Sequence, residues 1–597
     1  ILAFAIGVPV FSLLPLGLTA RIIALCLTAL PAALVALIGI SGESLSSFLL
    51  IFIKYLRNRR IVGGNSAEDA VPAAEHGGKH IKKKAHKPDK APRRSRRSGR
   101  EDFPAEFDEV RSYEIRQKLR PVKKQKPAKE KKAAKQKKKV SKERKVKRPI
   151  RTQEPKPACL NPVADYLPIS KIENGIIYTK DHRYVKVVEV VPINFMLRSA
   201  QEQRNIIYSF VSYLKISPIK LQIKVLTRRA EINRHLDTVR KEMEQETNEQ
   251  CLLMQEDYLQ FVQQIGSREA ITRRFFLIFE YEPWSNTKRS DEEGEAINAL
   301  QSAVHTATNY LRQCGNEVIV PENWDEFTVD VLYNLLCRNE SAVKPLSVRA
   351  QEVVAEYLAK GRDSEIDHIP ATEFCAPKSI DFTHGHHICI DGLYYAYLLV
   401  PSDGYKTQVP AGWLSLIVNA GDGIDMDMFL SRQPKETIIQ KVGQQLRINR
   451  SKIKDASDTN TDFDDIDGAI RSGYFLKEGL ANNEDFYYLN LLITITASNE
   501  EDLEWKVSEM RKLLLSQDMN ACTCHFREEQ AFLSALPLVA MEKKLYERGK
   551  RNLLTGGAAS CYPFTSYEMC DDNGILLGVN KYNSSLIIVD IFNSAVY

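Results

Sequence analysis

A Lys- and Arg-rich segment places the strongest limit on how this chain of 597 residues can fold. Between Ile61 and Lys156 there are 32 basic and 13 acidic residues, which gives a net charge of +19. Aromatic and β-branched side chains are almost absent from its basic runs. A stretch of this composition cannot bury a core, so residues 61–157 are predicted to be a disordered basic linker. Because the whole chain has a net charge of only +7, the part after the linker must be acidic.

The basic linker also contains the candidate binding residues. Runs of Lys and Arg attract anionic lipid and nucleic acid phosphates through charge alone, and a solvated tether without a ligand is the third possibility. Composition does not choose among the three, although an apolar segment before the linker favours lipid. A mixed stretch at 103–119 has the composition of a short helix or docking motif. The candidate contact residues are Lys82, Lys83, Lys84, Arg93, Arg94, Arg96, Arg97, Lys137, Lys138 and Lys139.

The start of the chain is strongly apolar. Ile1–Ala20 and Ile22–Ser41 contain no charged residue, and only Arg21 separates them. Each stretch has the ~20 residues that cross a bilayer, which favours a two-helix transmembrane hairpin over a buried soluble one. Basic residues after the second stretch, such as Lys54 and Arg57, predict that both ends face the cytoplasm. The predicted localisation is therefore the plasma membrane, with the bulk of the chain on the cytoplasmic face.

Beyond residue 157 a pattern of strand, Ser-x-x-Glu capping box and amphipathic helix occurs three times. Further strands are predicted at 219–226 and near 521–527. The predicted fold class is α+β, with ferredoxin-like layers that carry helices on one face of a sheet. The three copies are Tyr184–Val191 with Ser199 and Glu202, Phe275–Tyr281 with Ser290 and Glu293, and Leu491–Thr496 with Ser498 and Glu501.

A long helical stretch at 230–264 separates the first two copies. Its apolar residues recur every three or four positions, but the phase breaks between Met243 and Met254. This pattern favours a projecting arm, folded back as a helical hairpin and used for subunit contacts, and an ordinary packed helix is the alternative. Gly266 is predicted to end the helix. Helices are also predicted near Glu326–Cys337 and Val348–Leu358.

The chain lacks the motifs of the common catalytic sites. No G-x-x-x-x-G-K-[ST] sequence occurs, so no phosphate-binding loop is predicted, and no catalytic or cofactor-binding residue is assigned. The run Asp458–Asp467 departs from a calcium loop, because Phe463 and Ala469 replace the required Gly and Glu, and it is predicted to be a surface loop.

Histidine and cysteine residues give no metal site either. Cys522, Cys524 and His525 lack a second matching pair of ligands. The sequence HGHHICI, which begins at His384, alternates polar and apolar residues and predicts a strand edge with solvated histidines. The 11 cysteines are spread singly along the chain, which indicates a reducing compartment.

The last residues, TSYEMCDDNGILLGVNKYNSSLIIVDIFNSAVY, predict two strands joined by a turn at Asn583 and Ser584. This run resembles the segment before the P-loop in VirB/TraE-type ATPases, including the TrbE and CagE relatives, of conjugative type IV secretion. PVADYLPISKIENGIIYTKDHRYVKVVEV and YYLNLLITITASNEEDLEWKV are similar to strands of the same family. GESLSSFLLIFIKYLRNRRIV, with the apolar hairpin before it, resembles the PrgI family of small conjugation membrane proteins.

The resemblance implies the membrane-anchored N-terminal part of a conjugative transfer ATPase, which docks on the secretion channel and on neighbouring subunits. Implied partners are the cell membrane, other type IV secretion components, further copies of the chain, and DNA, indirectly or through the linker. ATP and Mg²⁺ are implied only for a full-length protein, whose RecA-like motor is expected after Tyr597 and would cover the terminal strands. A Gram-positive bacterium is the implied source.

The alternative function is a non-enzymatic membrane scaffold or nucleic-acid tether of a conjugation apparatus, in which the linker is the active part.

The chain is expected to have five regions. The expected regions are a PrgI-like membrane hairpin with an interface helix at 1–60, the basic linker at 61–157, an α+β subdomain with the arm at 158–365, a second α+β subdomain at 366–560, and strands leading into the motor at 561–597.

Overall fold

The computed structural model describes residues 45–63, 159–229, 233–268, 271–283, 292–455, 461–570, 574–581 and 584–591. Two compact units make up the chain, residues 1–65 with 157–597 and residues 66–156. The second unit, which includes all ten candidate linker residues, lies outside the described residues. The two predicted membrane spans at 1–41 also lie outside them.

One helix and one short strand precede the linker. Helix α1 (Leu45–Asn58) is followed by strand β1 (Ile61–Gly63), which pairs antiparallel with residues 379–381. Phe48 and Phe52 of α1 contact the ring of Phe526 edge-on, with ring centroids 5.8 Å and 5.2 Å apart. These contacts attach α1 to the globular body.

The first half of the body contains a β-α-β-β-α-β repeat. Helix α3 begins with the predicted capping box, because the Ser199 hydroxyl accepts from Glu202 N and the Glu202 carboxylate accepts from Ser199 N at 2.8 Å. In order, the elements are α2 (Pro162–Tyr166), β2 (Ile169–Glu173), β3 (Ile176–Thr179), β4 (Tyr184–Val191), α3 (Ala200–Ile216), β5 (Lys220–Arg229), α4 (Asn233–Gln245), α5 (Glu249–Arg268), β6 (Ile271–Tyr281), α6 (Glu292–Gln313) and β7 (Glu317–Ile319).

Short helices and strands connect this repeat to the second half. Asn323 caps the first of these helices by accepting from Asp325 N at 3.0 Å. The connecting elements are α7 (Trp324–Leu336), α8 (Arg338–Ser341), α9 (Leu346–Ala359), α10 (Ala371–Cys375), β8 (Ser379–Asp381) and β9 (Ile388–Ile390).

The second half repeats the same order of elements, and three further helices and a small sheet follow it. Its elements are β10 (Leu393–Leu399), α11 (Ser415–Val418), β11 (Ile424–Gln433), α12 (Lys435–Asp455), α13 (Thr461–Ala481), β12 (Phe486–Ala497), α14 (Glu500–Ser516) and β13 (Cys522–Thr523). After them come α15 (Glu528–Ala535), α16 (Lys543–Gly549), β14 (Arg551–Leu554), α17 (Thr555–Ser560), β15 (Met569–Cys570), β16 (Ile575–Val579) and β17 (Leu586–Val589).

Both repeats contribute to one 14-stranded sheet. Its strand order contains β7-β4-β6-β5 in the first repeat and β13-β10-β12-β11 in the second, which is the same order of fourth, first, third and second strand. This is the order of a ferredoxin-like unit. The two units are joined because β5 pairs antiparallel with β11, with Val225 opposite Met426. The smaller sheet has the order β15-β17-β16 and is named here the terminal sheet.

Successive side chains along each strand point to opposite faces of the large sheet, and apolar side chains are buried on both faces. On β5, Leu221, Ile223 and Val225 face a core that includes α3, α6 and α14. On the other face of the sheet, side chains such as Phe276 and Ile278 of β6 pack in a second core with α2, α7, α10 and α15. The result is a three-layer arrangement of helices, sheet and helices.

The predicted fold class and localisation need correction. Among the described helices, none combines the length and the apolar composition that a bilayer crossing requires. Helix α1 has 14 residues, fewer than the ~20 that span a membrane, and its Ile51 is buried against the body. What the structure supports is an α+β fold on one large antiparallel sheet. The membrane-spanning fold class and the plasma-membrane localisation are therefore wrong as predicted.

Several local predictions are also corrected. The cap of α14 is Asn499, which accepts from Asp502 N at 2.8 Å, and not Ser498. Residues 461–467 of the run Asp458–Asp467, which was predicted to be a surface loop, belong to α13, and residues 456–460 lie outside the described residues. Helix α5 continues through Gly266 to Arg268, and the strand predicted at 521–527 has only two residues. Each error concerns a boundary, where local signals are weakest.

Candidate docking arms

A helical hairpin occupies the same position in both repeats, between the second and third strands. We name α4 with α5 arm 1, and α12 with α13 arm 2. The predicted folding back of the first stretch is confirmed, because Leu236 of α4 and Val262 of α5 share one buried cluster. Arm 2 was not predicted. Its signal is the stripe Ile438, Val442 and Leu446 on α12, which repeats every four residues among many charged side chains.

The terminal sheet covers arm 1. Leu236 and Val262 are 3% and 0% exposed, and they pack with Leu576, Leu586 and Ile588 of the sheet. The prediction of two terminal strands is confirmed, since β16 and β17 pair antiparallel. Their expected cover was a motor domain, but the described structure places arm 1 of the same chain on this face.

Polar contacts fix the register between arm 1 and the terminal sheet. The Tyr258 hydroxyl accepts a hydrogen bond from Leu576 N at 2.9 Å and lies 2.8 Å from His235 Nε2. Burial raises the pKa of Tyr258 and lowers the pKa of His235, with Glu242 opposing the second shift. A neutral imidazole beside an un-ionised phenol is therefore the stable combination.

Arm 2 has exposed aromatic side chains on α13 in the described structure. Helices α5 and α13 end at Arg268 and Ala481, and counting back six residues from each end gives Val262 and Phe475. Val262 is fully buried, whereas Phe475 is 66% exposed. The adjacent Tyr474 is 39% exposed and lies beneath the Arg450 guanidinium, 5.1 Å from the ring centroid. Two neighbouring aromatic side chains of arm 2 thus remain accessible.

Charge is separated between the two helices of arm 2. Helix α12 has six basic and two acidic residues, a net charge of +4, whereas α13 has two basic and five acidic residues, a net charge of −3. Arm 1 shows no such contrast, because α4 has three basic and three acidic residues. A surface with adjacent positive and negative helices is complementary to a second copy of itself placed antiparallel.

A buried polar network joins the two repeats. Lys224 Nζ of β5 donates to Asp427 Oδ2 of β11 at 2.8 Å and to Ala535 O at 2.9 Å. Gln222 donates to Asp427 Oδ1, also at 2.8 Å. Burial lowers the pKa of Lys224 and raises the pKa of Asp427, and their contact offsets this cost. Removal of one partner would leave a buried charge, so this network fixes the relative position of the repeats.

The other predicted features are the basic residues of the linker and the His and Cys residues of the body. The ten linker residues lie outside the described residues, so their role stays a prediction. Within the described ranges, no group of three or more His, Cys, Asp and Glu residues is arranged to hold a metal ion. His387, predicted to be solvated, is 3% exposed, because its ring stacks on His384 and packs against Tyr394.

One comparison with known families bears on this geometry. Residues 170–308 match the family model of the archaeal TraC-like domain. The match starts in β2 and ends in α6, so it includes arm 1 and most of the first repeat. TraC-like domains are related to conjugation, which supports the association with conjugation that the sequence resemblance implied. The VirB/TraE and PrgI resemblances find no support in this comparison, and no curated protein matches the sequence significantly.

Proposed function

We propose that this chain is a docking component of a conjugative transfer apparatus, the part of a transfer ATPase that contacts neighbouring subunits and the secretion channel. The observation that carries the proposal is the TraC-like match over 170–308. The catalytic power for transfer would come from a motor with its own phosphate-binding loop, since this sequence contains none. ATP and Mg²⁺ are accordingly assigned to that motor.

Arm 2 is the surface that we assign to docking between copies of the chain. Its support is the exposed pair Tyr474 and Phe475, together with the opposite charges of α12 and α13. Aromatic side chains contribute most of the energy at many interfaces, and complementary charges set the orientation of the partners. Two arms placed antiparallel would form a four-helix contact with each α12 against the partner's α13.

The experiment that tests the conjugation proposal is a mating assay. Donor cells that lack the gene should lose transfer of the conjugative element, and the full-length gene supplied in trans should restore it. Unchanged transfer after deletion would refute a role in conjugation. Purified chain 1–597 should show no ATP hydrolysis above background, and steady turnover would contradict assignment of the motor elsewhere.

A matched pair of variants tests arm 2 separately. Phe475→Asp should lower transfer and reduce self-association measured by light scattering, because it places a charge in the proposed contact. Phe261→Asp is the control, since Phe261 is 51% exposed on arm 1. If deletion abolishes transfer but Phe475→Asp has no effect on transfer or association, the conjugation role stands and the arm 2 contact is wrong.

A further inference from the structure

A groove in the first repeat is built around a buried lysine. It lies between α6 and the loop that joins β7 to α7, and it encloses about 550 Å³. Ile176, Leu300 and Val304 form an apolar floor, while Gln301 and Asn323 lie at the polar rim. The groove therefore combines apolar contact area with hydrogen-bonding groups, as ligand-binding pockets do.

Lys186 is the buried ammonium of this groove and is 6% exposed, and the carboxylates of Glu322 and Asp325 also line the groove. Its Nζ donates to the Asn174 carbonyl at 3.0 Å and lies 3.8 Å from the centroid of the Trp324 ring. In the described part of the chain, no carboxylate lies within ion-pair distance of this ammonium. The nearby Asp325 carboxylate accepts from Gly175 N instead.

An ammonium in this position is costly without an anionic partner. Burial lowers the pKa of Lys186 to about 8, and Asp325 opposes the shift only in part. A cation–π contact contributes about 0.5–2 kcal/mol, less than the several kcal/mol that desolvation of a charge can cost. A Met at this position would pack on Trp324 without that cost. The buried charge is therefore more suited to recognition than to packing.

Lys171 differs from Lys186 because its ammonium has carboxylate partners within the chain. Its Nζ also lies over an aromatic ring, 4.1 Å from the centroid of Tyr178. Unlike Lys186, it contacts two carboxylates, Glu173 at 2.6 Å and Glu293 at 3.4 Å. Lys171 has its anionic partners inside the chain, whereas Lys186 has an open groove where such a partner would bind.

We propose that the Lys186 groove binds a peptide segment of a partner protein that carries a carboxylate next to apolar side chains. The carboxylate contacts the Lys186 ammonium, and the apolar side chains lie on Leu300, Val304 and Trp324. Gln301 and Asn323 exchange hydrogen bonds with the peptide backbone. This inference does not depend on the proposed role in conjugation.

Charge predicts how such binding depends on pH. The groups that face Lys186 across the groove are His305 on α6, Glu322 in the loop and Asp325 at the start of α7. Because the bound carboxylate requires a protonated amine, affinity should decrease as the pH rises above about 8.

The test is a selection from a random heptapeptide display library on the full chain at pH 7, with counter-selection on Lys186→Met. Selected peptides should contain Asp or Glu beside apolar residues, and Lys186→Met should weaken their binding about tenfold or more, as loss of a charged hydrogen bond does. Lys171→Met, the matched control, should bind them as the wild type does. Calorimetry on synthetic peptides would provide the affinities.

A second variant guards against misfolding of Lys186→Met. Gln301→Glu changes an exposed rim residue and should weaken the same peptides by repulsion without altering the melting temperature. The proposal is overturned if no peptide is enriched, if the enriched peptides lack acidic residues, or if a folded Lys186→Met chain binds them as tightly as the wild type.

Discussion

Arm 1 and arm 2 have the same position in two repeats of the same topology, but their outer faces have different surroundings. Val262 of arm 1 is buried beneath the terminal sheet, whereas Phe475 of arm 2, which also lies six residues before the end of its helix, is 66% exposed. A duplicated scaffold can thus use one copy for internal packing and leave the other copy for recognition.

The polar side chains of the two arms also differ in whether they are covered or exposed. Arm 1 has a buried His235–Tyr258 contact beneath the sheet, while arm 2 has an exposed Tyr474 that contacts a cation. Covered polar groups must be satisfied within the chain, and exposed groups can exchange partners with water or another protein. Comparison of matched substitutions on the two arms therefore separates stability from docking.

The largest difference is expected between an aspartate at Val262 of arm 1 and an aspartate at Phe475 of arm 2. Val262→Asp buries a charge against Leu576 and Ile588, so it should weaken attachment of the terminal sheet by about 3–5 kcal/mol. Phe475→Asp should change the unfolding free energy by less than about 0.5 kcal/mol. Hydrogen exchange of β16 and β17 measures the first effect, and urea unfolding measures both. Equal destabilisation by the two variants would show that arm 2 is covered.

A smaller difference should follow from removal of one hydroxyl. Tyr258→Phe leaves Leu576 N without its acceptor, which costs about 1–3 kcal/mol for a buried donor. Tyr474→Phe on arm 2 loses no described hydrogen bond and should have almost no effect. The measurement is the exchange rate of the Leu576 amide together with the global unfolding free energy. Identical exchange at Leu576 in wild type and Tyr258→Phe would contradict the observed contact.

Arm 1 should also be the pH-sensitive arm. Burial lowers the folded-state pKa of His235 below its unfolded value near 6.5. The unfolded state then binds more protons in this window, so stability is complete above about pH 6.5 and decreases as the pH falls through the lowered pKa, by at most about 1.4 kcal/mol per pH unit. Hydrogen exchange of β16, corrected for intrinsic rates, should increase between pH 7 and pH 5.

His235→Asn is the control for this pH dependence, because an amide does not titrate in the range. Its exchange profile should be flat where the wild type changes. A wild-type chain with pH-independent protection of the terminal sheet would show that His235 protonation is not coupled to sheet attachment.

The smallest effect concerns two glycines of α13. A Cβ at Gly468 would meet nothing within 4 Å, so Gly468→Ala should stabilise arm 2 by about 0.5–1 kcal/mol through helix propensity. A Cβ at Gly473 would lie 2.8 Å from a Leu446 methyl group, so Gly473→Ala should have the opposite sign. Thermal unfolding of both variants tests this order. Destabilisation by Gly468→Ala would mean that the outer side of α13 is in contact with another element.

The local elements with strong periodicity were predictable. Strand β4 has the predicted bounds Tyr184–Val191, and α3 has the predicted Ser199–Glu202 capping box, because both depend on neighbouring residues alone. Arm 1 was predictable from the phase break between Met243 and Met254. Arm 2 was missed because the acidic start of its second helix, α13, resembles a loop and the apolar stripe of α12 is narrow. The Lys186 groove has no sequence signal, since its residues come from four separate elements and two loops.

The sequence by itself determined elements with strong local patterns, such as β4 and α3, and the absence of a phosphate-binding loop motif from this sequence, since these depend on local pattern and composition. Only the tertiary structure decided that β5 pairs with β11 to join two repeats and that the terminal sheet lies on arm 1. It also decided that Lys224 is matched by Asp427 while Lys186 has no carboxylate partner in the described structure. Pairings between distant residues depend on which surfaces pack together, and adjacent positions in a sequence do not specify that choice.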